Sequence, residues 1–218
     1  MKENTPNFEN KYQRAFGYNR ILRWLFGYPI FGIFVHWALQ GILNMDRTEL
    51  WFKLLLDLGL TLSFTLLLNT WFSLLPAFLV GFFIAHSLNF LFNAQAWVVL
   101  RIYGYFCQSY ASFDNFQQQF ISRVLAEPSI GFAAIYGSLV RGDAWRPSTD
   151  LDVRLVRHKG VLNGLRACRF VLAERTRALW RCFPLDVYVL DSPASLSRMR
   201  SDEKPIVIKQ RSPGNLNV

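Results

Sequence analysis

The sequence predicts two parts of different fold class, an all-α transmembrane helical domain followed by an α+β domain with a mixed sheet and flanking helices. The first part rests on two runs without charged residues, at 24–45 and 58–100, because about 20 consecutive apolar residues suffice to cross a bilayer. The second part rests on short apolar runs that alternate with amphipathic stretches, a pattern typical of strands and helices in one domain. We therefore divide the chain into a basic amino-terminal segment (1–23), a membrane domain (24–106) and a globular domain (109–218).

Four membrane spans are expected in the first part, with Arg101 reaching from the last of them to the inner boundary. The expected spans are residues 24–43, 50–68, 71–88 and 90–106. Three spans fit the hydropathy almost as well, and this alternative stays open. Five basic residues precede the first span and two follow it, a bias that favours a cytoplasmic amino terminus.

A few polar residues lie at membrane depth, and the sequence offers them no ionised partner. They are His36, Gln40, His86, Asn89 and Asn93. Because they are few and without such a partner, we expect them to form hydrogen bonds between helices, and a transport pathway is not indicated.

The second part shows a helix, three strands with a helix between the last two, and a final edge strand. Phenylalanines recur at helical spacing between Phe113 and Leu125, which predicts an amphipathic helix that packs on the sheet and ends before Pro128. Short apolar runs predict the remaining elements. These are strands at 132–136, 150–156 and 184–190, a helix over 161–183 and an edge strand at 206–208.

Gly137 and Ser138 directly follow the first predicted strand. Glycine lets the chain turn where a Cβ would obstruct it, and neighbouring backbone N–H groups together with the serine hydroxyl can face phosphate oxygens. The pair on its own is weak evidence for phosphate binding.

Asp150 and Asp152 occupy alternate positions of the second predicted strand and therefore project to the same side. Two neighbouring carboxylates repel each other, and Mg²⁺, which binds a few carboxylates together with phosphate oxygens, is the usual remedy. The alternative for this pair alone is a solvated turn that leads into an edge strand.

Asp186 adds a third carboxylate, on the strand at 184–190. If this strand pairs beside the Asp150 strand, the three carboxylates converge, and three carboxylates suit a site for two metal ions. Asp191 lies at the strand end next to Ser192 and Pro193, which is typical of a turn residue.

This arrangement resembles the nucleotidyltransferase superfamily, which includes the minimal nucleotidyltransferases and the polymerase-beta-like enzymes. The family pattern is Gly-Ser, Arg-Gly, Asp-x-Asp and a lone Asp on a later strand. The matching residues are Gly137, Ser138, Arg141, Gly142, Asp150, Asp152 and Asp186. The resemblance covers about residues 109–218 and is silent on the first hundred residues.

The resemblance implies a nucleotidyltransferase-type fold and a Mg²⁺-dependent enzyme. By resemblance, Gly137, Ser138 and Arg141 bind the nucleotide. Asp150, Asp152 and Asp186 are the implied catalytic and metal-binding residues, for two Mg²⁺ ions or Mn²⁺, with Asp186 as a further ligand or as the base toward the acceptor.

The expected reaction transfers a nucleoside monophosphate from an NTP to an acceptor and releases pyrophosphate. Tethering to a membrane points to a lipid, a glycan or a membrane protein as the acceptor. A non-catalytic nucleotide-sensing or scaffolding subunit of a membrane complex is the alternative, although the presence of all three acidic residues argues against lost catalysis. Minimal members of the family resemble half of a working unit, so a homo-oligomer or a protein partner is expected.

The chemistry and the charge of the chain set its expected location. Nucleotide and Mg²⁺ are cytosolic, which places the globular domain on the cytoplasmic side of the plasma (inner) membrane and requires an even number of spans. Residues 1–108 carry eight basic and five acidic side chains, a net charge of +3, and residues 109–218 carry sixteen and ten, a net charge of +6. Such a basic domain is attracted to anionic headgroups, and a nucleic-acid partner is not indicated.

Two further features complete the expectations. The helix over 161–183 carries five arginines, too many for one salt-bridged face; a solvated face explains most of them, and some are expected to meet anionic lipid, nucleic acid or nucleotide. The three cysteines have no metal-like spacing and are odd in number, which predicts reduced thiols.

Overall fold

The computed structural model describes residues 20–93, 96–101, 104–105, 109–142, 145–199 and 204–210. The helices are α1 (Arg20–Phe26), α2 (Pro29–Leu39), α3 (Arg47–Leu68), α4 (Leu74–Asn93), α5 (Ala96–Leu100), α6 (Tyr110–Ala126) and α7 (Val161–Trp180). The strands are β1 (Ile130–Tyr136), β2 (Leu151–Arg157), β3 (Leu185–Leu190) and β4 (Ile206–Gln210). Short 3-10 helices lie at Ile42–Asn44 and Pro193–Arg198.

The four strands form one mixed sheet in the order β3-β2-β1-β4. Strand β1 runs antiparallel to both β2 and β4, whereas β2 and β3 are parallel. A parallel pair requires a crossover connection, and α7 supplies it between β2 and β3. The predicted α+β class with a mixed sheet and flanking helices is confirmed.

One face of the sheet packs against α6 and α7 and forms the core. The odd-numbered residues of β3, and those of β2 as far as Leu155, point to this face and are buried. Helix α6 contributes Phe113, Phe116, Phe120 and Val124, the stripe that the sequence predicts. Alternate residues of a strand point to opposite faces, so the even-numbered residues of β2 and β3, which include Asp152 and Asp186, occupy the other face.

Helices α3 and α4 form a hairpin whose interface consists of small or polar residues. On α4 every fourth residue is buried, and these residues are Ala77, Gly81, Ala85, Asn89 and Asn93. A Cβ at Gly81 would lie 2.9 Å from the backbone nitrogen of Thr65 on α3. Close backbone contact through small residues is typical of helix pairs in membranes.

The outer surface of the hairpin is apolar and exposed. Large aliphatic and aromatic side chains cover it, among them Leu58, Leu62, Leu66, Leu79 and Phe83. Only 17% and 22% of the most apolar stretches of α3 and α4 are buried, whereas a core helix of a soluble protein buries most of such a stretch. Both helices are long and apolar enough to cross a membrane, and the 22 residues of α3 extend about 33 Å.

The described residues contain two helices of span length where the sequence predicts four or three. Helices α3 and α4 correspond to the expected second and third spans. The expected first span is divided into α1 and α2 because Pro29 disfavours helical backbone at the preceding Tyr28, and α2 ends after 11 residues at Gln40, which is left-handed.

The expected fourth span, at 90–106, is also divided. Helix α4 continues to Asn93, and α5 is five residues long; residues 94–95, 102–103 and 106 of this stretch lie outside the described residues.

His86 has an acidic partner, which corrects the expectation that the polar residues of the membrane domain have none. Its Nδ1 lies 2.9 Å from Oδ2 of Asp57 on α3, and its Nε2 lies 2.9 Å from the carbonyl oxygen of Trp37 on α2. The side-chain amide of Gln40 donates to the His86 carbonyl oxygen at 2.9 Å. These bonds join α2 to the hairpin, so the expected hydrogen bonding between helices is present.

The base of the hairpin is bonded to β3, an edge strand of the sheet. Oε2 of Glu49 accepts from the Val189 amide at 2.8 Å, and Oδ2 of Asp46 accepts from the Asp191 amide at 2.7 Å. The guanidinium of Arg175 on α7 donates to the Val187 carbonyl oxygen. Side chains therefore satisfy the outward backbone groups that an edge strand leaves open.

Asp191, predicted as a turn residue, bridges the two parts of the chain. Its carboxylate accepts from the Thr48 amide at the start of α3 at 3.2 Å and from Nε of Arg157 at 2.8 Å. Partial burial works against the charged carboxylate, but these hydrogen bonds outweigh it and hold the pKa of Asp191 below its ordinary value.

A buried ion pair fixes the junction further. Nη2 of Arg175 lies 2.7 Å from Oε1 of Glu49, and both side chains are almost completely buried. Nη1 of the same arginine donates to Oδ1 of Asn93 at the end of α4, at 2.9 Å. The ends of both hairpin helices are therefore bound to the same residue of the globular domain.

Candidate active site

Asp152 and Asp186 lie side by side on neighbouring strands. They are register partners in the parallel pair of β2 and β3, and Tyr136 is the register partner of Asp152 on β1. Asp150 directly precedes β2, whose first residue is Leu151. The strand pairing on which the predicted convergence depends is therefore present.

Gly137 lies directly against Asp152. Its φ of 84° is left-handed, and a Cβ at this position would lie 3.4 Å from the Asp152 Cβ and 3.6 Å from its Oδ2. Both the backbone conformation and the close contact favour glycine. The turn after β1 therefore stands directly next to the Asp152 carboxylate.

Hydrogen bonds within the turn at residues 137–142 occupy some of its backbone amides. Val140 donates to the Gly137 carbonyl oxygen and Arg141 donates to that of Ser138, both at 3.2 Å. Ser138 is half-buried and the Arg141 side chain is exposed. In this conformation the amides of Val140 and Arg141 therefore form hydrogen bonds within the turn.

Arg154 neutralises Asp152 and Asp186, a role that the sequence analysis missed. Its guanidinium forms an ion pair with Oδ1 of Asp152, lies 3.9 Å from Oδ2 of Asp186 and donates to the Asp186 carbonyl oxygen at 3.2 Å. The guanidinium also stacks over the Tyr188 ring, with its Cζ 4.9 Å from the ring centroid. Alternation along β2 puts Arg154 on the same face as Asp152, and this was the available signal.

Arg154 is buried, with only 8% of its surface exposed. Burial works against the charged guanidinium, but the carboxylates of Asp152 and Asp186 outweigh it and raise the pKa of Arg154 above its ordinary value. The two carboxylates therefore hold a buried cation in this conformation.

Arg101, which the sequence analysis expected to reach the inner membrane boundary, pairs with Asp150. Its Nη2 forms an ion pair with Oδ2 of Asp150, and its Nη1 donates to the Ser148 carbonyl oxygen at 2.6 Å. Arg101 directly follows α5. A residue of the amino-terminal half therefore reaches the candidate site.

The residue types at the site fit Mg²⁺, which prefers carboxylate oxygens. In the parts of the chain that the structure describes, however, no three His, Cys, Asp or Glu side chains form a group that could hold a metal ion. The carboxylates are directed toward Arg101 and Arg154 instead. Guanidinium groups therefore supply, in this conformation, the positive charge that metal ions are expected to supply.

A cavity of about 240 Å³ borders the turn on the core side of the sheet. Its wall includes Leu139 of the turn and the rings of Tyr110, Phe113 and Trp145. The Tyr110 and Trp145 rings are in edge contact, with centroids 5.7 Å apart. The sequence analysis did not anticipate this cavity, because it is formed by residues from three separate elements.

Comparisons with known proteins add no assignment. No family model matches the chain. No curated protein and no solved structure matches it either.

Proposed function

We propose that this chain is a membrane-anchored nucleotidyltransferase. It transfers a nucleoside monophosphate from an NTP to a hydroxyl or phosphate oxygen of an acceptor. The acceptor oxygen bonds to the α-phosphorus, the bond from that phosphorus to the bridging oxygen breaks, and pyrophosphate leaves. The observation that carries the proposal is the register of Asp152 with Asp186 on parallel strands, with Gly137 against Asp152.

The residues take the roles that the family resemblance implies. Ser138 and Arg141 bind the triphosphate, and Asp186 accepts the proton of the attacking hydroxyl. Asp150, Asp152 and Asp186 would hold Mg²⁺, which when bound neutralises phosphate charge and activates the attacking oxygen. Because catalysis of this kind depends on positioning and charge, a rigid pair of strands is a suitable support.

The ion pairs of Arg101 and Arg154 with the carboxylates represent the ligand-free arrangement of the site, which differs from the arrangement with bound metal. Binding of a divalent cation requires the guanidinium groups of Arg101 and Arg154 to leave the carboxylates. A triphosphate is a matching anion for guanidinium groups, since the two form charge-assisted hydrogen bonds. We therefore propose that NTP and Mg²⁺ bind together.

The membrane supplies the acceptor, which is a lipid, a lipid-linked glycan or a membrane protein. Glu49 and Asp46 at the start of α3 bond to β3, so the apolar hairpin extends from the edge of the sheet that carries Asp186. This proximity raises the effective concentration of a membrane acceptor. With the hairpin inserted, the globular domain lies on the cytoplasmic face, where NTP is available.

A second copy of the chain or a separate protein partner completes the acceptor pocket in this proposal. The support is the small size of the globular domain, whose described elements are used by the sheet, its two packed helices and the hairpin junction. The mass of the detergent-solubilised particle tests it. A particle with the mass of one chain plus detergent contradicts it.

A non-catalytic nucleotide-sensing or scaffolding subunit is the second candidate. The pairing of Asp150 with Arg101 and of Asp152 with Arg154 favours it, because carboxylates that are permanently neutralised bind no metal. The two candidates differ in whether bound NTP turns over.

The test uses the full chain in nanodiscs made with lipids from the source membrane, incubated with Mg²⁺ and each NTP labelled at either the α- or the γ-phosphate. We expect α-label in the lipid or protein fraction, γ-label in pyrophosphate, and loss of both with Asp150→Asn/Asp152→Asn. Asp114→Asn on α6, whose carboxylate accepts from Gln118, is the matched control and should retain activity. Calorimetric binding of NTP without label transfer would favour the sensing subunit, and the absence of both would reject the nucleotide site.

A further inference from the structure

Helix α7 crosses the base of the membrane hairpin. Near its start, a Cβ at Gly164 would lie 2.8 Å from Cγ2 of Thr48, at the start of α3. In its last third, Arg175 binds Glu49 and the end of α4. Near its end, the Leu179 carbonyl oxygen accepts from Nε1 of Trp97 on α5, at 2.9 Å.

These contacts fix the direction of α7 relative to the hairpin. Its 20 residues extend about 30 Å, and three points along that length contact the ends of the hairpin helices or α5. The helix therefore lies across the level at which the hairpin leaves the globular domain. If the hairpin is in a bilayer, this is the level of the headgroups.

The outward face of α7 is both apolar and basic. Its exposed apolar side chains are Val161, Leu162, Leu165 and Trp180, of which Leu162 and Trp180 are 82% and 75% exposed. Arg166 and Arg169 lie among them and are exposed. Within the described residues neither arginine forms an ion pair, whereas Arg177 pairs with Glu174.

Val161, Leu162 and Leu165 are adjacent on the surface of α7, and contiguous exposed apolar side chains rimmed by polar ones mark interaction sites. Apolar residues beside unpaired arginines are typical of helices that lie in the membrane interface, where the apolar groups enter the acyl boundary and the arginines meet phosphate. Charge and position therefore favour an anionic bilayer over a soluble partner.

We propose that α7 is an interfacial helix that binds the headgroups of anionic lipids through Arg166 and Arg169, with Leu162 inserted beside them and Trp180 inserted at the other end of the helix. The proposal rests on the membrane insertion of the hairpin in the proposed function, and it does not depend on nucleotidyl transfer. Its consequence is a fixed tilt of the sheet against the bilayer, which holds the sheet face that carries Asp152 and Asp186 at a defined height above the membrane surface.

The test uses the full chain with the photoreactive residue p-benzoylphenylalanine in place of Leu162, in nanodiscs of phosphatidylcholine with or without phosphatidylglycerol. After irradiation, lipid adducts are counted by mass spectrometry. The same residue at Leu66, on the exposed outer face of α3, reports insertion of the hairpin. At Lys204, next to β4 on the sheet edge opposite β3, it reports background.

We expect lipid adducts at position 162 that increase severalfold with phosphatidylglycerol, and adducts at position 66 in both lipids. Arg166→Gln/Arg169→Gln should remove the increase at position 162, whereas Lys204→Gln, at the opposite sheet edge, should leave it unchanged. Adducts at position 66 without any at position 162 would overturn the proposal and leave membrane insertion of the hairpin intact. Adducts at position 162 whose yield does not depend on phosphatidylglycerol would overturn it in the same way. No adducts at position 66 would overturn it together with membrane insertion, and the label-transfer assay reports the enzymatic activity separately.

Discussion

Arg154 supplies the positive charge that balances the two carboxylates of the candidate site. Its guanidinium serves two carboxylates on adjacent strands and is itself buried. Removing one partner of such a group leaves uncompensated buried charge, which is more costly than never having had the pair. The same position therefore controls both the stability of the sheet and the access of a cation to the carboxylates.

Arg154→Gln is expected to lower the free energy of unfolding by about 3–5 kcal/mol in the absence of divalent cations. Mg²⁺ should then raise the Tm of the variant more than that of the native chain, because the cation replaces the missing positive charge. Thermal unfolding in detergent with and without Mg²⁺ measures both effects.

The matched control is Arg157→Gln, which removes an arginine from the same strand whose partner is Asp191. It should destabilise the chain without creating a response to Mg²⁺. An equal Mg²⁺ response in the native chain, Arg154→Gln and Arg157→Gln would contradict a cation site at Asp152 and Asp186.

Sequence reasoning at this scale found the acidic residues but missed their partners. Asp150, Asp152 and Asp186 stand out because a short spacing and a strand pattern are local signals. The pairing of Arg101 with Asp150 joins positions 49 residues apart, and the distance between two such positions depends on the tertiary structure. Arg154 could have been found, since its place on β2 relative to Asp152 follows from alternation alone.

At the scale of elements, the hairpin shows how packing is specified inside an apolar region. If the hairpin lies in lipid, hydrophobic burial does not drive the two helices together, and close van der Waals contact between small residues does so instead. Gly81 allows the closest part of this contact, whereas a Cβ at Gly59 on α3 would meet nothing within 4 Å. The two glycines therefore provide a matched comparison.

Gly81→Ala is expected to destabilise the hairpin by about 1–3 kcal/mol, because the added methyl group meets the α3 backbone at Thr65. Gly59→Ala should be neutral or stabilise by up to about 1 kcal/mol, since alanine favours helix and meets no neighbour. Unfolding of α3 and α4 in mixed detergent micelles measures the difference. Equal effects of the two substitutions would mean that the helices do not pack as described.

The elements of the globular domain were predictable, whereas the division of the apolar region into helices was not. Helices α6 and α7 and all four strands follow from periodicity and flanking residues. Hydropathy, in contrast, reports only the composition of a run and does not detect where the helix breaks inside it. Pro29 was the available signal for the break before α2, whereas the left-handed turn at Gln40 has no comparable signature.

At the scale of the whole molecule, a buried ion pair joins the hairpin to the globular domain. Glu49 and Arg175 are separated by 126 residues and are buried together, and Cys168 of α7 lies in the same electrostatic environment. Burial, with a contribution from the negative charge of Glu49, raises the pKa of the Cys168 thiol to about 12. The thiol is therefore almost entirely protonated and unreactive while the junction is closed.

Glu49→Met is expected to lower the free energy of unfolding by about 3–5 kcal/mol, because it leaves Arg175 buried without its carboxylate partner. Glu49→Met/Arg175→Met should cost less than the single change, since it removes both charges. Alkylation of Cys168 by iodoacetamide, followed by mass spectrometry, should become faster in the single variant and less so in the double. Additive costs and an unchanged alkylation rate would contradict a buried pair at the junction.

None of this junction was predictable from the sequence. The charged residues at the start of α3 look like an ordinary loop between two apolar runs, and their partners on β3 lie about 140 residues later. Only the folded chain brings them together.

The side chains along β3 have a consequence for how the globular domain can exist. Without residues 46–49, the amides of Val189 and Asp191 lose the carboxylates that now accept from them, and a row of backbone groups becomes open to any other strand. A fragment of residues 109–218 would therefore be expected to self-associate and precipitate. During synthesis, the hairpin precedes β3 along the chain and so is available as its cover from the moment that strand forms.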